Sequence, residues 1–231
     1  MMTLGTRSLP CWLLLVLVAA WPSVGGAQGA PPAYPIRGDD GRMVANHRVS
    51  PDAADQVERL PGAVVVGNPK GDVTIAEFYD LNCPFCRRAA VDIDGLLRAD
   101  TDIRLVLVPY PVLGLPSVLA ARVELALARL ATPQQFFAFH RKIYEGRGLI
   151  DSNRALAVAK ELGFDTAKLI ELGNEARTTE AMKAHLRLGD TLGLVATPSY
   201  MIGDTAIVGH PGRQALQRMV EALRRCGRPV C

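Results

Sequence analysis

Val73-Thr74-Ile75-Ala76-Glu77-Phe78-Tyr79, followed shortly by Cys83-Pro84-Phe85-Cys86, decides how this chain is read. The first run is apolar almost throughout, with Glu77 its one charged residue. That is the pattern of a central strand covered on both faces. The residues after the cysteines, Arg87 to Leu97, read as a helix. A strand that feeds two cysteines into the mouth of a helix is a redox arrangement. The first sulfur faces the free N–H groups and positive dipole end of the helix, which favour the thiolate. The thiolate is the attacking form in thiol–disulfide exchange. Pro84 suits the first helical turn, where its missing N–H costs nothing.

Other chemistries use the same spacing. A zinc site needs a second pair of ligands. Cys226 and Cys231 form the other close pair, with four residues between them, and His47, His140, His185 and His210 are scattered. A purely structural disulfide between Cys83 and Cys86 closes a loop too short to remove much chain entropy. A chance buried pair leaves Pro84 and the strand-to-helix context unexplained.

The N-terminus reads as a targeting segment. Arg7 supplies a positive start, Leu9 to Ala20 an apolar stretch, and Gly25 and Ala27 small residues suited to cleavage after Ala27. An uncleaved anchor is the alternative, but Pro22 and glycines follow the apolar run too soon for a comfortable membrane span. Removing residues 1–27 takes away Arg7 and Cys11. That leaves 25 basic and 23 acidic residues, a net charge of about +2, too weak to argue for nucleic acid or an anionic surface. Four cysteines remain, an even number, as an oxidising compartment allows. The expected location is periplasmic or otherwise exported.

Residues 28–60 are rich in Pro, Gly and Asp and read as a mobile or loosely docked arm, partly disordered, with a short helix after Ser50-Pro51. Further strands are expected at Ala63–Val66, Ile103–Val108, Ser199–Ile202 and Ala206–Val208. Between about residues 115 and 194 the pattern is helical, with caps at Thr132, Asp151, Asp165 and Thr178 or Thr179. A closing helix spans Gln214 to Arg225, ended by Gly227. The order implies an α/β domain over residues 61–231: a sheet sandwiched by helices, with an all-helical insertion.

Two motifs in this order resemble the thioredoxin superfamily, and within it the DsbA-like exported thiol-disulfide oxidoreductases. Gly67-Asn68-Pro69-Lys70-Gly71-Asp72, Glu77-Phe78, the Cys83 motif, Pro111-x-Leu113-Gly114 and Ala120-Ala121-Arg122 are similar to the Com1-like or ScsC-like members. Ala196-Thr197-Pro198-Ser199-Tyr200-Met201-Ile202-Gly203 is similar to the second signature, whose proline carries a cis bond and faces the cysteines. The resemblance implies a thioredoxin-like fold and a role for each residue. Cys83 would be the nucleophile and Cys86 the resolving thiol. Glu77 would lie beneath them and move protons, its alternative being a solvated glutamate at a sheet edge. Thr197 and Pro198 would pair with an extended substrate segment, beside Phe85.

Two departures matter. Phe85 stands where the DsbA type has histidine, and Thr197 where it has valine. Both favour a milder exchanger than a strong dithiol oxidase, because phenylalanine cannot stabilise the thiolate as a histidinium does. No cofactor is called for, since the two sulfurs carry the electrons. The implied partners are protein thiols or disulfides and a membrane redox partner that renews the Cys83–Cys86 pair. Cys226-Gly227-Arg228-Pro229-Val230-Cys231 suits a small structural disulfide loop; a second redox shuttle or a soft-metal site are its alternatives. Two other function classes stay open: a thioredoxin-fold isomerase or chaperone-type binding module, and copper or zinc handling through cysteines.

Overall fold

The structure, a computed structural model, describes residues 32–57 and 59–231. The expected leader, 1–27, and the start of the arm, 28–31, lie outside the described residues. Six strands and eight helices are found among the described residues. The strands are β1 (Ala45–Arg48), β2 (Val64–Gly67), β3 (Val73–Tyr79), β4 (Ile103–Pro109), β5 (Ser199–Ile202) and β6 (Thr205–Val208). They form one sheet in the order β1-β6-β5-β3-β4-β2, with β3 and β4 parallel and every other pair antiparallel.

Strand periodicity sorts β3 onto two faces. Ile75 and Tyr79 join the core with Cys86, Ile93, Leu96, Leu216 and Val220, contributed by α2 (Pro84–Ala99) and α8 (Arg213–Cys226). Ala76 and Phe78 join the opposite core with Val57, Leu188 and Leu192, from α1 (Pro51–Val57), α7 (Ala176–Thr191) and the residue after it. Glu77 shares the parity of Ile75 and Tyr79, which places it on the face that α2 covers. Between β4 and β5 run α3 (Leu115–Leu127), α4 (Pro133–Lys142), α5 (Ser152–Glu161), α6 (Thr166–Asn174) and α7. Thr132 and Gln135 form a reciprocal capping box at the start of α4.

Two expectations change. The segment read as a loose arm is docked from Ala33 to Arg48. β1 pairs with β6, Asn46 holds Tyr34 through two hydrogen bonds, and Asp39 accepts from the N–H groups of Gln214 and Ala215 at the start of α8. An edge strand pairs through its backbone, so no apolar alternation marks it. The fifth insertion helix is capped at Glu175, not at Thr178 or Thr179. The Thr178 hydroxyl donates instead to the Leu172 carbonyl at 2.6 Å, tying α6 to α7.

Candidate active site

Cys83 is the N-cap residue of α2, with Pro84 at the first helical turn and no side-chain cap. The leading N–H groups of the helix are therefore left to the sulfur. Both cysteines are free thiols, Cys83 5% exposed and Cys86 1%. The Cys83 thiol is held well below the ordinary range, at about 6. The Cys86 thiol, as hydrogen-bond donor to it, is the largest cause. The Thr197 side chain and the N–H groups of Cys86 and Phe85 add to the lowering, while burial opposes it. Cys86 is pushed the other way by burial and then by its neighbour Cys83. One sulfur is poised as an anion and the other kept as a neutral acid, the division that an attacking and a resolving thiol require.

The loop before β5 closes over this pair. The Thr197–Pro198 peptide is cis, and the Cys83 thiol donates to the Thr197 carbonyl at 3.1 Å. Phe85 stands at the surface, 63% exposed, and Leu113, Leu115 and Val195 are exposed as well. Asp80 fixes the turn that delivers Cys83. Its carboxylate accepts from the N–H groups of Asn82 and Leu113 at 2.8 Å each and from the Ser117 hydroxyl at 2.6 Å. Asn82 exchanges two hydrogen bonds with the backbone of Ile150, which pins the turn to the insertion.

Glu77 is 1% exposed, so the solvated edge glutamate is excluded. Burial raises its carboxyl to about 7, with His140 and the Tyr200 hydroxyl pulling the other way. Its Oε2 has no hydrogen-bond partner. A second buried polar group stands nearby, in which the Tyr79 hydroxyl donates to Glu124 Oε1 at 2.7 Å and His140 lies 3.7 Å from that oxygen. Cys226 and Cys231 are joined in a disulfide. Arg224, two residues earlier, binds Asp100 at the C-terminus of α2 and Asp72 just before β3. The disulfide therefore sits at the opposite end of α2 from Cys83. Among the described residues, no group of three or more His, Cys, Asp or Glu is placed to hold a metal ion.

A family model described as Thioredoxin matches residues 59–222. The chain belongs to the thioredoxin family. Among solved structures, a thioredoxin-like oxidoreductase from Silicibacter pomeroyi DSS-3 is similar at 34% identity and a TM-score of 0.70, over 77% of this chain and 99% of that one. A periplasmic thioredoxin-like protein from Salmonella enterica serovar Typhimurium is similar at 25% identity and 0.66, over 76% and 97%. The thiol-disulfide exchange protein alpha-DsbA2 from Wolbachia pipientis shares the fold at 24% identity and 0.67, over 74% and 94%. No curated protein sequence matches. The thioredoxin-like fold that the motifs imply is the fold these neighbours share.

Within this family frame, Cys83, Cys86, Thr197 and Pro198 come together, with Glu77 buried on the face below and Phe85 at the rim. Sequence reasoning missed Asp80, Glu124, His140, Tyr200 and His210. Glu124 carried a usable signal: like Glu77 it is a lone acid in an apolar run, Val123-Glu124-Leu125-Ala126-Leu127.

Proposed function

We propose that this thioredoxin-family chain is an exported thiol-disulfide oxidoreductase that exchanges disulfides with protein thiols through Cys83 and Cys86. The observation that carries the reading is the setting of the two sulfurs: both are free thiols, Cys83 is the N-cap of α2 with its sulfur 3.1 Å from the Thr197 carbonyl beside the cis Pro198 peptide, and Cys86 is buried within the first turn of the helix. The Cys83 thiolate attacks a substrate disulfide, forming a mixed disulfide and releasing one substrate thiolate. Cys86 then loses its proton and attacks the Cys83 sulfur. The bond between Cys83 and the substrate breaks, and the electron pair leaves on the substrate sulfur. Run backwards, the same steps oxidise a substrate dithiol. Glu77, raised to about 7, accepts and returns the Cys86 proton near neutral pH.

Thr197, Pro198 and Phe85 form the substrate-binding rim, where the backbone at Thr197 aligns an extended peptide and exposed apolar side chains contact it. Phe85 and Thr197 favour a mild exchanger, renewed by a membrane redox partner. The leader, 1–27, directs export. Among the described residues no helix is long and apolar enough to cross a membrane. The Cys226–Cys231 disulfide is assigned a structural role, away from the exchange site.

Insulin reduction by the mature protein tests the reading. Cys83→Ser should abolish it, and Cys86→Ser should accumulate mixed disulfides with substrate proteins. Normal turnover by Cys83→Ser would overturn the assignment.

A further inference from the structure

The polar contacts continue behind Glu77. Its Oε1 lies 3.5 Å from the hydroxyl of Tyr200, its register partner in β5. That hydroxyl lies 2.7 Å from Nδ1 of His210, in the loop after β6, and His210 Nε2 lies 2.8 Å from Asp92 Oδ2 on α2. Exposure rises along the chain: Tyr200 is fully buried, the His210 side chain is 5% exposed and Asp92 31%. While Glu77 is ionised the Tyr200 hydroxyl donates to its Oε1; once Glu77 is protonated, one set of protons satisfies every contact. The Tyr200 hydroxyl has a single proton, and giving it to Nδ1 turns the oxygen's lone pairs to Glu77. His210 then carries its proton on Nε2 and donates to Asp92. This polarity can receive a proton from a protonated Glu77.

We propose that Tyr200, His210 and Asp92 form a relay that carries the Cys86 proton from Glu77 to solvent. The proposal rests on the exchange activity proposed above. When Cys86 attacks the Cys83–substrate disulfide, its proton passes to the Glu77 carboxylate. Glu77 gives that proton to the Tyr200 oxygen as the hydroxyl proton moves to His210 Nδ1 and the Nε2 proton to Asp92. Asp92 then releases a proton to water, so one proton enters the chain and one leaves. The hydroxyl and imidazole end with their protons reversed, and the opposite half-reaction, which returns a proton to Cys86, resets them.

A relay is needed because Cys86 and Glu77 are each 1% exposed. The titratable groups around Glu77 are Cys86 from α2, Tyr200 from β5, His140 from α4, Tyr79 from its own strand and Tyr144 just after α4. The branch through His140 and Glu124 ends in the core, at residues 1% and 0% exposed. The branch through Tyr200 reaches water.

Oxidised glutathione is the probe. Reduced protein is mixed with it, quenched in acid, and the Cys83–glutathione mixed disulfide followed by mass over time, from pH 5 to 9. Its formation reports Cys83 and its decay reports Cys86. Tyr200→Phe should slow decay at pH 7 by about 100-fold, the lower end of what positioned proton transfer contributes, with formation unaffected. His210→Ala should slow decay similarly, and added imidazole should restore it. The solvent deuterium isotope effect on decay should shrink in Tyr200→Phe. Wild-type decay in both variants across the pH range would overturn the relay. So would slow decay without imidazole rescue and with an unchanged isotope effect, the mark of a structural role. If the wild type forms no mixed disulfide at Cys83, the exchange reading itself fails; if it does and the variants match it, the relay alone fails.

Discussion

Glu77→Gln should leave stability nearly unchanged in acid and raise it at alkaline pH. Glu77 is raised from the ordinary 4.5 to about 7, with burial the largest cause. At 1.36 kcal/mol per pH unit the difference corresponds to roughly 3 kcal/mol. Below pH 4.5 folded and unfolded chains both hold the proton, and the stabilising contribution is complete. Between 4.5 and 7 the unfolded chain has released it while the folded chain retains it, so stability falls as pH rises. Above 7 the folded carboxyl ionises as well and the contribution is gone. Glutamine is neutral throughout and keeps an oxygen for the Tyr200 hydroxyl. The substitution should be near neutral at pH 4 and stabilising by about 3 kcal/mol at pH 8. Urea unfolding at pH 4, 6 and 8, with Cys83→Ser and Cys86→Ser in both proteins to silence the thiols, measures the difference. Parallel stability curves would show that Glu77 ionises as a solvated acid does, and its proton-accepting role would lose its basis.

Three further outcomes follow from the same site. Alkylation of Cys83 should titrate with a midpoint near 6; because that value is depressed, the reduced protein should also lose stability as pH falls from about 8.5 towards 6, and a midpoint near 8.5 would contradict the site geometry. Phe85→His should make the disulfide a stronger oxidant, but residue 85 is 63% exposed and the added charge is screened, so the shift in glutathione equilibrium should stay within about 30 mV; a more negative potential would sever the link to residue 85. Asp80→Ala should cost about 2 kcal/mol by stranding the buried Ser117 hydroxyl and two half-buried N–H donors, those of Asn82 and Leu113, and an unchanged urea midpoint would show that the turn holds without it.

Much of this architecture was legible because its elements carry local signals. β3 is buried at every position but Thr74 and falls where its composition places it, and Thr132, Asp151 and Asp165 cap helices through contacts within a few residues of themselves. The cysteine pair was legible for the same reason, strand, thiols and helix being contiguous. What was missed depends on pairing across the chain. Tyr200 meets Glu77 from 123 positions away, and His210 meets Asp92 from 118. A histidine after a strand has no sequence mark that distinguishes it from a surface residue. β1 was missed because Asn46, His47 and Arg48 look like a loop, and their place in the sheet comes from backbone bonds to β6.

The docking of that segment has a consequence for the order in which the molecule is finished. Arg48 binds Asp204, 156 positions later, and Asp39 caps a helix that begins at Arg213. A ribosome builds a chain from one end, and segments fold as their partners emerge. The first described residues to be made therefore find their partners almost last. Through most of synthesis the 33–48 segment has neither β6 nor α8 to bind. The sheet edge is sealed when β6 and α8, which begin at Thr205 and Arg213, arrive, so the N-terminal piece works as a late clasp on a core that must assemble before it.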